Sequence, residues 1–289
     1  LFPYTTLFRS NEAVCRVLRI KFALGLFENP YVPENGEEIH VCTKHRKQAR
    51  DVSASSMVLL KNQNILPIKK NGLKILVTGP LAEEQNSLLG MWRGKGRPED
   101  VVTLLEGLKN NSQNEYIYSR GVDFTSNDTL KFAHAKELAD SVDIIIYACG
   151  EHDGMTGENH NRTNLDLPGI QNQYLDLLKS SGKPVIGVLM TGRPMSVQHL
   201  HDTADAVLLS WHCGIEAGNA AADILFGDYN PSGRLTASFP RTVGQVPIYY
   251  SKLSSGRPQF KRYLDVEDTP LYPFGYGLSY TDYKYSNLV

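Results

Sequence analysis

Four short, almost uninterrupted apolar runs constrain this chain more than any other feature: ILVTG at residues 75–79, DIIIYACG at 143–150, PVIGVLM at 184–190 and AVLLSW at 206–211. A strand with one solvated face alternates apolar and polar residues, whereas a strand covered by helices on both faces reads as a continuous apolar run. Helical patterns separate the runs, at residues 101–109, 128–139, 171–179 and 216–226. That βαβ series predicts an α/β fold with a mostly parallel sheet flanked by helices, a three-layer α/β sandwich. With 289 residues, 41% of them hydrophobic, the chain can bury such a core as one large domain plus linkers. Two further helices are expected before it, at residues 14–27 and 43–56, the first ended by Gly25 and the Asn29-Pro30 turn.

Several function classes are disfavoured. A formal net charge of −1 with no basic block gives a nucleic-acid partner no electrostatic support. No apolar run approaches the roughly 20 residues that span a bilayer, so no membrane role is expected. The four cysteines, Cys15, Cys42, Cys149 and Cys213, lack metal-like spacing; Cys149 and Cys213 lie in or beside apolar runs and read as buried, inert thiols. His40 with His45, and His199 with His201, lack a third ligand nearby, so no metal and no cofactor is expected. The turn after the first strand reads GPLAEE, without a GxGxxG fingerprint and with carboxylates that would repel a pyrophosphate. That counts against a nucleotide-binding α/β domain, and no GxSxG nucleophile elbow occurs.

In a parallel sheet, ligand-contacting residues belong in the loops beyond the carboxyl ends of the strands. The loop after residue 150 is the richest, with Glu151, His152, Asp153, Glu158, His160, Arg162 and Asp166. A solvated polar loop is the bland account; a length well beyond the usual ~2–6 residues of a βα connection argues for function. The loop after residue 79 holds Trp92 in LLGMWRGKG, flanked by glycines and charges rather than by periodic apolar residues. It suits a sugar-stacking ring better than core, the alternative being an indole packed under its own loop. Trp211 ends a buried strand and reads as core.

The segments GIEAGNAAADILFGDYNPSGRLTASFP, residues 214–240, and YPFGYGLSYT, residues 272–281, resemble the end of the second domain of glycoside hydrolase family 3, the β-glucosidases and β-xylosidases. RIKFALGLFENPY resembles the last helix of that family's preceding TIM barrel, and MVLLKNQNILPI the strand leading into its second domain. The resemblance implies a barrel end at residues 11–31, a linker at 32–42, the α/β sandwich at 43–280 and the start of a fibronectin type III-like domain at 281–289. Residues 1–10, LFPYTTLFRS, resemble the in-frame translation of a sequencing adapter, and with no initiating Met the chain is expected to begin inside a longer reading frame.

GENHNRTNLDLPGIQ resembles the segment that carries the family's general acid/base, which implies that role for Glu158. Glycoside hydrolysis needs one carboxylic acid to protonate the leaving oxygen and a second carboxylate as nucleophile, about 5–5.5 Å away in retaining enzymes. Such an acid has to stay protonated near neutrality, which burial or a neighbouring carboxylate arranges; Glu151 or Asp153 is the candidate neighbour. Glu151, at the rigid strand end, is also the rival acid, although that position suits a structural role better. Arg162 and His160 are candidate sugar-hydroxyl contacts, with a surface role open for each, and Trp92 matches a family aromatic beside the leaving-group subsite. The nucleophile is expected from the missing barrel, the family partner of this domain, so this chain alone is expected to be inactive. The expected substrate is a β-glucoside oligosaccharide or aryl glucoside; a β-xylosidase, a non-catalytic carbohydrate-binding module and a nucleotide-binding domain are the alternatives. Asn161 begins an Asn-x-Thr sequon three residues from Glu158, where a glycan would obstruct the site, so a bacterial source is expected, with periplasmic or secreted location implied by the resemblance.

Overall fold

The structure, a computed structural model, describes residues 8–32, 41–253, 263–282, 284, 286 and 287. It divides into two compact units, Leu1–His45 and Arg46–Val289. The first contains α1 (Phe8–Ala23), which begins earlier and ends earlier than the apolar pattern predicts. Nothing between residues 8 and 14 breaks a helix, so Phe8–Ser10, expected to lie outside the fold, form its first turn; Gly25, at φ +66°, ends the helical path. Most of the expected linker, including His40, lies outside the described residues, as do residues 283, 285, 288 and 289 of the expected fibronectin-like start.

From α2 (Thr43–Ser56) the chain enters the second unit. Among the described residues there follow β1 (Val58–Asn62), β2 (Asn71–Thr78), α3 (Asn86–Leu89), α4 (Leu104–Asn111), β3 (Gln113–Ser119), α5 (Phe132–Asp140), β4 (Ile144–Gly150), α6 (Gln171–Lys179), β5 (Val185–Met190), α7 (Gln198–Thr203), β6 (Ala206–Leu209) and α8 (Ala217–Phe226). The strands form one sheet in the order β1-β6-β5-β4-β2-β3, parallel throughout except for β1 on β6. β4 and β5 are buried along their whole length, as their continuous apolar runs predict. β3, QNEYIYS, carries no such run because it is an edge strand and only half covered.

Two cores lie on opposite faces. Ile146, Val188 and Leu208 meet α4 and α8 on one side; Ile145, Leu189 and Val207 meet α5, α6 and α7 on the other. Alternation of side chains along each strand thus divides one apolar run between two helical layers. α4 and α8 pack backbone to backbone: a Cβ on Gly218 would stand 1.9 Å from the Thr103 carbonyl oxygen, so only glycine fits there. The Thr103 and Glu106 capping box starts α4 at that contact.

The two segments that carry the family resemblance bind each other. Leu235 N donates to Tyr276 O at 2.9 Å and Phe239 N to Tyr272 O at 2.8 Å. Leu278 N then donates to Leu59 O at 2.8 Å, which covers part of the free edge of β1. Cys149 is buried as expected, whereas Cys213 is only half-buried because it sits just past the end of β6; burial keeps the Cys149 thiol far above its ordinary range and pushes Cys213 up to about 11, and Cys15, on α1, is exposed.

Candidate active site

The chain leaves β2 for β3 on one side and later crosses back to β4 on the other side of β2. The carboxyl ends of β2 and β4 therefore flank a topological switch point, where open α/β sheets place their ligands. A cleft of about 590 Å³ lies there, lined from the β2 side by Leu89 to Trp92, from the β4 side by Thr156, Gly157, His160 and Asn161, and from β5 and β6 by Thr191, Arg193, Trp211 and His212. The first two loops touch. Gly157 has φ +122°, and a Cβ there would stand 2.1 Å from Met91 Sδ, so glycine alone admits the approach. Arg93 Nη1, next to Trp92, donates to Asp153 Oδ2 at 3.2 Å and ties the same two loops electrostatically.

Trp92 projects from its short loop with 76% of its surface exposed, which excludes core packing. His160 lines the cleft, and its buried Nδ1 has no hydrogen-bond partner among the described residues. Trp211, read from sequence as core, is half-buried instead. Its backbone turns to φ +57° at the end of β6, so the indole packs on Phe239, ring centroids 6.0 Å apart, and also borders the cleft.

Glu151 follows β4 directly and has no exposed surface. Arg162 Nη1 donates to Oε1 at 2.7 Å, Thr191 Oγ1 donates to Oε2 at 2.7 Å, and Arg193 Nε stands 3.3 Å from Oε2 at ion-pair distance. A carboxylate buried without such partners would cost far more than it gains. His212 Nε2 donates to the Glu151 carbonyl at 3.0 Å, which fixes its tautomer, and burial lowers its pKa despite the opposing Glu151 charge. Arg162, considered above as a sugar contact, is thus held by Glu151 and by the Asp166 carbonyl, and is not among the lining residues.

Glu158 is exposed. It occupies the first central position of a four-residue turn closed by His160 N on Gly157 O at 3.2 Å, with Asn159 at φ +61° in the second, the pattern of a type II turn. Of the three carboxylates between residues 151 and 158, Glu151 and Asp153 are paired with arginines; Glu158 makes no hydrogen bond or ion pair with the described residues. Glu151 and Asp153, the expected neighbouring charges, are therefore compensated by other groups. Arg193, on the β5 loop, donates through Nη2 to the carbonyls of Met155 and His160, the latter at 2.6 Å. Sequence reasoning does not single it out, because TGRP after a strand is no local signal for contacts made across loops. Among the described residues no group of three or more His, Cys, Asp or Glu is placed to hold a metal ion.

The family model described as "Glycosyl hydrolase family 3 C-terminal domain" matches residues 57–280. A periplasmic beta-glucosidase of Salmonella typhimurium is 38% identical over 98% of this chain and 42% of its own length. A beta-xylosidase of Formosa agariphila is 37% identical over 95% of this chain and 39% of its own length. The crystal structure of a beta-glucosidase from Listeria innocua in complex with glucose superimposes with a TM-score of 0.84 at 36% identity, covering 94% of this chain and 38% of that one. The chain spans about two fifths of the length of these curated relatives.

Proposed function

Because the chain belongs to glycosyl hydrolase family 3, we propose that it is part of a retaining, exo-acting β-glucosidase that removes terminal non-reducing β-D-glucosyl residues. Glu158 is its general acid/base. The nucleophile, a second carboxylate, comes from a barrel domain outside this chain, and the protein works in the periplasm or outside the cell. One observation supports the assignment most: Glu158, itself not a lining residue, is exposed and unpaired among the described residues in a turn whose ends, Gly157 and His160, line the cleft, while the other two carboxylates of residues 151–158 are held by arginines. A proton donor has to be free to meet a leaving oxygen, and a carboxylate locked by two cations is not. Trp92 offers an exposed ring face at the same cleft, suited to stacking on a sugar, and His160 lines the cleft beside it. No described helix is long and apolar enough to cross a membrane.

The test uses the protein encoded by the complete reading frame. Glu158→Gln abolishes hydrolysis of cellobiose, whose leaving group needs protonation, yet keeps much of the first step on dinitrophenyl glucoside, whose phenolate leaves unaided. The glycosyl enzyme then accumulates, and azide, which needs no base, restores turnover and yields β-glucosyl azide. Azide rescue of Glu151→Gln but not of Glu158→Gln would reverse the assignment. The nearly equal likeness to a beta-xylosidase makes that the second reading. Comparison of kcat/KM on nitrophenyl glucoside and nitrophenyl xyloside separates the two, and this chain alone hydrolyses neither.

A further inference from the structure

We propose that Arg193 is a positioning residue for Glu158, an inference that rests on the acid/base reading above. One guanidinium nitrogen, Nη2, binds the carbonyls of Met155 and His160, which bracket the turn that carries Glu158. On its other side Nε stands 3.3 Å from the buried Glu151 carboxylate, at ion-pair distance without a hydrogen bond, so the guanidinium links the end of β4 to the loop that carries Glu158. Arg193 N also donates to Thr191 Oγ1 at 3.2 Å, and that same hydroxyl donates to Glu151 Oε2 at 2.7 Å. The β5 loop backbone lies directly against the turn: a Cβ on Gly192 would stand 2.5 Å from Thr156 Oγ1.

Gly157 also packs on Met91, but the apex residues of the turn make few contacts of their own. Glu158 and Asn159 are exposed, and the 3.2 Å hydrogen bond that closes the turn fixes its local shape but not its place relative to the cleft. Proton transfer is sensitive to that place, since misplacing a catalytic group by about 1 Å costs on the order of 10²-fold. Lysine could keep the charge against Glu151 but has no planar fork to span a carboxylate and two carbonyls. Arg193 touches no reacting atom in this scheme; it acts through the backbone on either side of Glu158.

The experiment compares Arg193→Lys and the double variant Glu151→Gln/Arg193→Met with the parent, in the protein encoded by the complete reading frame. The first variant keeps the buried charge pair; the second removes it, and Glu151→Gln alone is run beside it, because that change also deprives Arg162 of its counter-charge and its effect has to be subtracted. Expected is a fall in kcat/KM of roughly 10²-fold on cellobiose, against less than about 5-fold on dinitrophenyl glucoside, with faster amide exchange at residues 156–160. Equal loss on both substrates, or no loss on either, overturns the proposal even if exchange rises, because a merely structural role does not discriminate between leaving groups. Glu158→Gln is run in parallel. If it shows no dependence on the leaving group and no azide rescue, the acid/base reading fails and takes this one with it; if it behaves as described while the Arg193 variants stay flat, only the positioning role is lost.

Discussion

Arg162 Nη1 lies 2.7 Å from Oε1 of Glu151, eleven residues away, and so closes the loop between β4 and α6 upon itself. The Glu151 side chain has no exposed surface and also faces Arg193. Glu151→Gln therefore leaves two largely buried guanidinium groups without their counter-charge, the costly way to break a buried pair. The expected destabilisation is roughly 3 kcal/mol, measured by urea denaturation of the chain. A loss within experimental scatter of zero would mean that the arginines find other partners at no cost.

Trp92 behaves in the opposite way. With 76% of the residue exposed, Trp92→Ala opens no core cavity and changes stability by no more than about 0.5 kcal/mol. In the protein encoded by the complete reading frame, the same change raises KM for disaccharides, because loss of a stacking face weakens binding. A large drop in melting temperature with unchanged KM would contradict both halves of the prediction.

Gly157→Ala tests the contact between the β2 and β4 loops. The substitution meets Met91 Sδ and also forces an alanine into φ +122°, where a side chain is strained. The expected cost is about 1–3 kcal/mol. Adding Met91→Ala removes the clash but not the backbone strain, so the double variant recovers only part of the loss. Full recovery would show that the conformation itself is not strained.

Acid sensitivity follows from two histidines. Burial lowers the pKa of His212, and of His201, where Lys61 and Arg241 add to the effect and Asp202 opposes it. His201 Nδ1 lies 2.7 Å from the Tyr272 hydroxyl, a hydrogen bond whose donor depends on the imidazole tautomer. Both histidines start from 6.5 when unfolded and are lower when folded. The unfolded chain therefore binds more protons below pH 6.5, and this part of the stability, complete above 6.5, is lost as pH falls towards the folded values. The variant His201→Asn/His212→Gln, which keeps an acceptor and a donor but does not titrate, should show a shallower decline of melting temperature below pH 6.5. An unchanged slope assigns the acid loss to other groups.

The continuous apolar runs were enough to read β2, β4, β5 and β6 as strands buried on both faces, because two-sided burial removes polar residues from a strand wherever it occurs. The helices α2 and α6 have their predicted limits, and the loop after β4 is as long as the sequence suggested. β3 was not, since an edge strand under partial cover keeps a mixed sequence. Trp211 was misread for a related reason: local pattern reports the burial of β6, but not the left-handed turn that brings the indole to the cleft.

The sequence by itself thus determined the layers and the loops that leave the sheet, through periodicities that act within a few residues. Which charges in those loops neutralise one another was decided only in three dimensions. The parallel register sets Gly150 beside Met190, so the next residues, Glu151 and Thr191, emerge as neighbours and hydrogen-bond at 2.7 Å. Arg193 then meets carbonyls 38 and 33 residues away in the chain. Ion pairing depends on distance in space, and strand register, not any local pattern around Glu151, Glu158 or Arg193, is what brings those groups within reach.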